Sequence, residues 1–333
     1  MTTLNVTILG LDRVGTSFGL ALKRYAKENG KYEFTIAGYD VKSAHEKAAH
    51  KAGAVDRVDR SPEAAVKDAQ IILMNLPYDE VRKTYRLIAN RLRDGVVILD
   101  ASPVKAPSLG WAKEFLSGDV HVVGFTPLPA ARFLETTGLS ADDASADLFE
   151  NAPCLVVPAV DNLPEAIDLA YNVAYLLGAK PRFVDPADYD AMIAMTEQMP
   201  RLLGITLFYH LTQSESWNDL RYFTGSTFGL LTRSLHHEHP DALRDQFSGN
   251  RQVLARSIDR VITHLQEVRD ALTSSDRAAL EALLVKTSAD YETWLNERIR
   301  IDWDKDKKDT YESSGMLGMI VGDSIAKRIK GKK

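Results

Sequence analysis

Val6-Thr7-Ile8-Leu9-Gly10-Leu11-Asp12-Arg13-Val14-Gly15 begins a unit that Phe34-Thr35-Ile36-Ala37-Gly38-Tyr39-Asp40 completes. Between them runs an apolar helix pattern with Phe18, Leu20, Ala21, Leu22 and Tyr25. The order is strand, glycine turn, helix, strand, acid, which predicts the start of a dinucleotide-binding fold. Gly10 makes the tight turn and Gly15 lets the helix pack close to the strand. The helix N-terminus offers free N–H groups and a positive dipole end to a pyrophosphate. Asp40 ends the second strand, where an acid accepts hydrogen bonds from a ribose and favours NAD over NADP. The middle glycine of the turn is replaced by Asp12. A carboxylate there adds bulk and negative charge where the backbone has to approach a dianion.

Outward from this unit the alternation continues. Apolar strands are predicted at 70–77, 95–100, 121–125, 154–157 and 182–184. Helix patterns fall between them, from Ala44 to Ala52, from Asp79 to Leu92 and from Glu165 to Leu177. Ser61-Pro62-Glu63 is a helix start, with a capping serine, a first-turn proline and an acid near the positive end. Residues 130–150 read as an irregular excursion. Alternating strands and helices predict a doubly wound, mostly parallel sheet.

The pattern changes near Asp185, beyond which no strand is predicted. A long helix covers Ala191 to Leu211, with Met192, Met195, Met199 and Leu202 on one face, a stripe that reads as core. Further amphipathic helices cover Arg251 to Leu272 and Ser275 to Arg298. The fold class is therefore α/β, an N-terminal Rossmann-like doubly wound parallel sheet followed by an all-helical C-terminal domain. The expected division is 1–184 for the dinucleotide domain, 185–300 for a helical substrate and dimerisation domain, and 301–333 for a charged, basic arm.

Composition sets bounds on partners. The 333 residues carry a net charge of −5, which gives no broad attraction to nucleic acid or anionic lipid. No apolar run reaches membrane-spanning length, and the chain enters its first strand without the pattern of a signal peptide. The single cysteine, Cys154, excludes an internal disulfide and a cysteine-based metal cluster, and fits a reducing cytoplasm. His236-His237-Glu238-His239 lacks the helical two-histidine spacing of a zinc site and adjoins Pro240, so it reads as a solvated polar loop with no metal.

The later motifs resemble the prephenate and arogenate dehydrogenase family, over roughly residues 4–300. Asp100-Ala101-Ser102-Pro103-Val104-Lys105 is similar to the family's Asp-x-Gly-Ser-Val-Lys segment. Leu148-Phe149-Glu150-Asn151-Ala152-Pro153, Tyr189-Asp190 with Pro200, Thr232-Arg233, and Pro240 with Asn250 follow at near-family spacing. The resemblance implies a cyclohexadienol that gives hydride to NAD and a proton to a base, and that loses CO2 to become aromatic. It also implies an arginine for the substrate carboxylates and a homodimer formed through the helical domain.

The chain departs from the family at the chemical positions. The family's Gly-Gly-His-Pro reads Gly124-Phe125-Thr126-Pro127, and the family serine falls on Pro103 with Ser102 beside it. A further family histidine is Tyr189, and Ser-His-x-Pro-His reads Glu197-Gln198-Met199-Pro200-Arg201. The resemblance places Ser102 and Thr126 at or beside catalytic positions. It places Arg233, Gln198, Arg201 and Lys105 at substrate positions. The cofactor positions are Gly10, Leu11, Asp12, Arg13, Val14, Gly15, Asp40, Leu76, Pro77 and Asp100. Tyr189, Glu197, Arg201 and Arg132 are the nearby residues that could supply replacement chemistry. Three readings follow: an NAD-dependent prephenate or arogenate dehydrogenase or a relative acting on another small carboxylate, a non-catalytic homologue binding a metabolite or protein through the same cleft, and an assembly role for the tail.

Overall fold

In the computed structural model, residues 2–136, 138–274 and 277–300 are described; the arm expected at 301–333 lies outside them. The chain divides into two compact units, which meet between Asp190 and Ala191. That junction falls a few residues beyond the sequence-based boundary, because the first turns of the helix starting at Pro186 carry side chains bound to the first unit.

The first unit holds an eight-stranded sheet. In chain order it comprises β1 (Thr2–Leu9), α1 (Arg13–Asn29), β2 (Tyr32–Tyr39), α2 (Ser43–Lys51), β3 (Arg57–Val58), α3 (Pro62–Ala65), β4 (Ile71–Met74) and α4 (Tyr78–Ile88). It continues through β5 (Val97–Asp100), α5 (Lys105–Phe115), β6 (His121–Pro127), β7 (Pro153–Val157), α6 (Pro164–Leu176), β8 (Lys180–Phe183) and α7 (Pro186–Ile193). The strand order is β3-β2-β1-β4-β5-β6-β7-β8. All pairs are parallel except β6 with β7.

The central strands are apolar on both faces because helices cover both, as in doubly wound sheets. Ile8, Phe18, Ile36, Leu73, Leu99, Val123 and Val156 pack in the core cluster on one side. Leu9, Ile72, Met74, Val81, Tyr85, Ile98 and Ala112 pack on the other. The order reverses between β1 and β4, and at such a switch point the loops leave in opposite directions and open a crevice at the carboxyl ends of the strands. Gly10, Asp40, Asn75, Asp100 and Thr126 all lie at these strand ends. β3, a two-residue strand, carries no periodicity long enough to be read in sequence.

The second unit is helical. After α7 a π-helical turn (Ala194–Gln198) runs into α8 (Met199–Thr212), followed by α9 (Trp217–Leu220), α10 (Ser226–Thr232), α11 (Ser234–His237), α12 (Pro240–Gly249), α13 (Arg251–Thr273) and α14 (Arg277–Arg300). Pro200 explains the π turn, since it supplies no N–H to a regular ladder there. The methionine stripe is core only in part: Met199 is buried, whereas Met192 and Met195 are exposed. The extra residue of the π turn rotates the preceding face away from that of α8.

Candidate active site

The glycine turn has the backbone that its residues require. Gly10 has φ +99°, and a side chain on it would overlap the Asn75 carbonyl. A side chain on Gly15 would overlap the Gly10 carbonyl. Both glycines are therefore needed for close packing at the switch point.

Asp12 is the N-cap of α1. Its Oδ1 accepts from the N–H of Val14 at 2.8 Å and of Gly15 at 3.1 Å. Asn75 Nδ2 donates to the same oxygen at 2.8 Å. The anion seat at this helix N-terminus thus holds the chain's own carboxylate. Burial pushes the Asp12 carboxyl above its ordinary range, against the lowering effect of the Gly15, Asn75 and Val14 donors.

The neighbouring N–H groups are also engaged. Leu11 N–H donates to Asp40 Oδ2 at 2.6 Å, and Arg13 N–H donates to the Leu139 carbonyl at 3.2 Å. Arg13 is buried, donates from Nη1 to the Gly138 carbonyl at 3.3 Å, and lies over the Phe133 ring. Ser145 N–H donates to Ser17 Oγ at 3.0 Å. The irregular excursion therefore folds back over the start of α1, which its sequence did not reveal.

Asp40 is buried at the end of β2. Besides Leu11 N–H it accepts from Lys42 N–H at 2.7 Å, and His45 Nδ1 is 3.3 Å from its Oδ2. That hydrogen bond raises the His45 imidazole above its ordinary value, against partial burial. Leu76 is buried and Pro77 exposed on the segment leaving β4. A dinucleotide fits this crevice in its fold-defining parts, which are the tight turn, the helix N-terminus and the acid after β2. Its pyrophosphate requires the Asp12 carboxylate to turn aside, because two anions cannot share the same donors.

A buried polar cluster follows β5. Asp100 accepts from Ser102 N–H at 2.7 Å and from the Ser108 hydroxyl. Lys105 is fully buried, and its Nζ donates to the carbonyls of Asp100 at 2.5 Å and Ser102 at 2.7 Å. Burial lowers the Lys105 ammonium to about 8, with Asp100 and Asp190 opposing that shift. The first residue before α5 is Val104, which has no capping side chain. Asp190 caps the helix instead, accepting from the N–H of Lys105 at 2.5 Å and of Ala106 at 2.8 Å.

This cluster changes two expectations. Ser102 is 1% exposed, with its Oγ 3.2 Å from Ser108 Oγ, so it faces the core and not a substrate. Lys105 braces the loop after β5 and offers no free ammonium to a carboxylate. By contrast Thr126, half-buried near the end of β6, has its Oγ1 2.9 Å from the hydroxyl of Tyr189. The Tyr189 ring is buried, with Lys105 Nζ 5.0 Å from its centroid.

Within the second unit, Arg201 is committed to Glu238 at 3.1 Å and to Gln246 at 3.2 Å, with Glu197 at 3.6 Å. Its guanidinium is thus held internally, because three oxygen acceptors already surround it. Gln198 is buried and its Oε1 accepts from Asn250 Nδ2 at 3.1 Å. Arg233 lies between α10 and α11, half-buried; its carbonyl accepts from His236 N–H at 3.0 Å, and no ion pair or hydrogen bond engages its guanidinium among the described residues. Arg132 pairs with Asp147 at 3.4 Å and lies over Phe133, and so belongs to the excursion. Asn75 and Tyr189 are the residues whose importance the sequence understated. A polar residue at a strand tip was the available signal for the first.

The family model for the prephenate dehydrogenase nucleotide-binding domain matches residues 18–182, and that for the prephenate dehydrogenase dimerization domain matches residues 185–286. The chain belongs to the prephenate dehydrogenase family. Among similar characterised proteins, a cyclohexadienyl dehydrogenase of Zymomonas mobilis is 22% identical over 274 residues, covering 82% of this chain and 89% of that protein. A prephenate dehydrogenase of Lactococcus lactis is 26% identical over 281 residues, covering 83% of this chain and 73% of that protein. Among solved structures, prephenate dehydrogenase from A. aeolicus in complex with hydroxyphenyl propionate and NAD+ aligns with TM-score 0.72 and 19% identity, over 88% of this chain and 99% of that one. Synechocystis arogenate dehydrogenase aligns with TM-score 0.63 and 20% identity, over 87% and 100% of the two chains. The family fold, a Rossmann-like sheet followed by a helical domain, is the one described above.

Proposed function

We propose that this chain is a nicotinamide-dependent dehydrogenase of a small cyclic carboxylate, of the prephenate or arogenate type that serves tyrosine biosynthesis. The observation that carries the reading is the presence of both family domains, with the strand-end residues gathered at the switch-point crevice of the first. Bound NAD would supply the hydride acceptor. Asp40 favours it over NADP, because a 2′-phosphate would meet a buried carboxylate.

Arg233 is the cation for the substrate carboxylate. A guanidinium without an internal partner presents a planar fork that a carboxylate can fill bidentately. Arg233→Ala is expected to raise KM about ten- to hundredfold, the worth of a charge-assisted hydrogen bond. Lysine at the same position should recover only part of the loss. Calorimetry should show NAD affinity unchanged in both variants; a parental KM in Arg233→Ala removes the role.

The primary experiment follows NADH absorbance on mixing the protein and NAD with prephenate or arogenate. Reduction with either supports the assignment. No reduction with either, combined with no calorimetric NAD binding, overturns it.

The helical domain is the pairing surface in this reading. Leu207, Tyr209, Tyr222, Phe223 and Leu230 expose large apolar area there, which a lone soluble domain seldom carries. A homodimer of the 37.0 kDa chain is expected by sedimentation equilibrium, and Phe223→Glu should shift it toward monomer. No helix among the described residues is long and apolar enough to cross a membrane. With the single Cys154, a cytoplasmic enzyme is the consistent assignment.

A further inference from the structure

We propose that Thr126 and Tyr189 form a two-hydroxyl proton relay, in which Thr126 meets the reacting hydroxyl of the substrate and Tyr189 positions Thr126 and receives the proton through it. The relay rests on the dehydrogenase reading above and supplies the base which that reading lacks.

Three observations converge. Both residues stand where the resemblance expects histidine, so neither family base is available. The two substituted side chains are in contact, with their oxygens 2.9 Å apart although 63 positions separate them in sequence. The buried Tyr189 ring has the Lys105 ammonium 5.0 Å from its centroid. A threonine hydroxyl is too weak a base to keep a proton near neutral pH, so a base at this position has to pass it on. The phenol is the group within reach, and Lys105 Nζ is fixed over its ring. Lys105 cannot swing away, because two backbone carbonyls hold its Nζ. The titratable groups that act on Lys105 are Asp100, Asp190 and the buried Cys154 thiol.

The step balances. As the carbinol O–H breaks, its proton moves to Thr126 Oγ1 while the Thr126 hydroxyl proton moves to the Tyr189 phenolate oxygen. The carbinol carbon is oxidised to a ketone as its C–H electron pair leaves as hydride to the nicotinamide, which is reduced. Loss of CO2 then sends the C–C electron pair into the ring, and the ketone oxygen becomes a phenol by taking the proton back through Thr126. Tyr189 ends as it began, so the relay needs no outside base.

The test uses the full chain with Tyr189→Phe, which keeps the ring and removes the hydroxyl. The expected result is a kcat about a hundredfold or more below the parent, the usual range for a lost acid–base group. KM and calorimetric NAD affinity should be unchanged, and the rise of kcat with pH should disappear. Thr126→Val should lose as much, and the double variant no more than either single one, since both break the same path. Thr126→Ser, which keeps the hydroxyl, should retain most activity and the parental pH profile. Thermal melts establish that each variant folds. Parental kcat and pH profile in Tyr189→Phe, or additive losses in the double variant, overturn the relay while leaving the dehydrogenase reading in place. A parent chain with no turnover overturns that reading and the relay with it.

Discussion

Asp12→Gly is expected to bind NAD about tenfold or more tightly than the parent chain, with little change in stability. In the parent, a pyrophosphate has to displace the Asp12 carboxylate from the N–H groups of Val14 and Gly15. An N-cap of this kind is worth ~1 kcal/mol, and a displaced carboxylate left beside a dianion adds repulsion. Together these reach the ~1.4 kcal/mol that corresponds to tenfold in affinity. Glycine is itself a tolerated N-cap, so the helix should lose only a few tenths of a kcal/mol.

The pH dependence separates charge from bulk. Burial holds the Asp12 carboxyl above its ordinary value, so it takes up a proton at higher pH than a solvated aspartate. The protonated form no longer repels phosphate. Parental affinity for NAD should therefore rise as pH falls through that raised range, while Asp12→Asn and Asp12→Gly show no such rise. The raised carboxyl also costs stability once it is ionised: its contribution is fully present below the unfolded value of 3.8 and is lost as pH rises through the folded value. Equal calorimetric affinity for NAD in Asp12→Gly and the parent would show that the capped seat does not oppose the cofactor.

The second large effect concerns Lys105. Lys105→Met should destabilise the fold by about 3 kcal/mol, the lower end for removing one member of a buried charged set. It removes the donor to the carbonyls of Asp100 and Ser102 and the cation that lies beside the buried Asp100 and Asp190 carboxylates. For a unit of this size the melting temperature should fall on the order of 10 °C.

The pH signature is specific. The ammonium titrates at about 8 in the fold and at 10.5 unfolded, so the unfolded chain binds the extra proton between those values. Parental stability relative to Lys105→Met should thus increase as pH rises from about 8 to about 10.5. Chemical denaturation across that range measures it. A difference that stays flat with pH would place Lys105 in contact with water.

How much of this could be read in advance differs by element. Strands β1, β2, β4, β5 and β6 were legible because parallel strands buried on both faces appear as unbroken apolar runs, whereas the two-residue β3 was not. The helices of the second unit were legible through their 3.6-residue period and their lengths, as in α13 and α14. The methionine stripe misled at Met192 and Met195, because a π turn breaks the period on which such a stripe depends. At the site, the positions could be placed but not their surroundings. Thr126, Tyr189 and Arg233 were identifiable as residue types at family positions. Nothing local distinguishes Arg201, which is held by Glu238, from Arg233, which has no such partner among the described residues.

The sequence by itself determined the unit from Val6 to Asp40, because its information is local: apolar runs, two glycines that tolerate no side chain, and an acid after the second strand. It also determined that the family's histidines are absent. The tertiary structure alone decided what stands in their place. Asp190 reaches Lys105 across 85 positions, Tyr189 reaches Thr126 across 63, and Gly138 reaches Arg13 across 125. Each contact joins helices, strands or loops that are distant in the chain and that the sheet brings side by side. Sequence spacing carries no record of that closure, since the crossover helices set the distance along the chain and the sheet sets the distance in space.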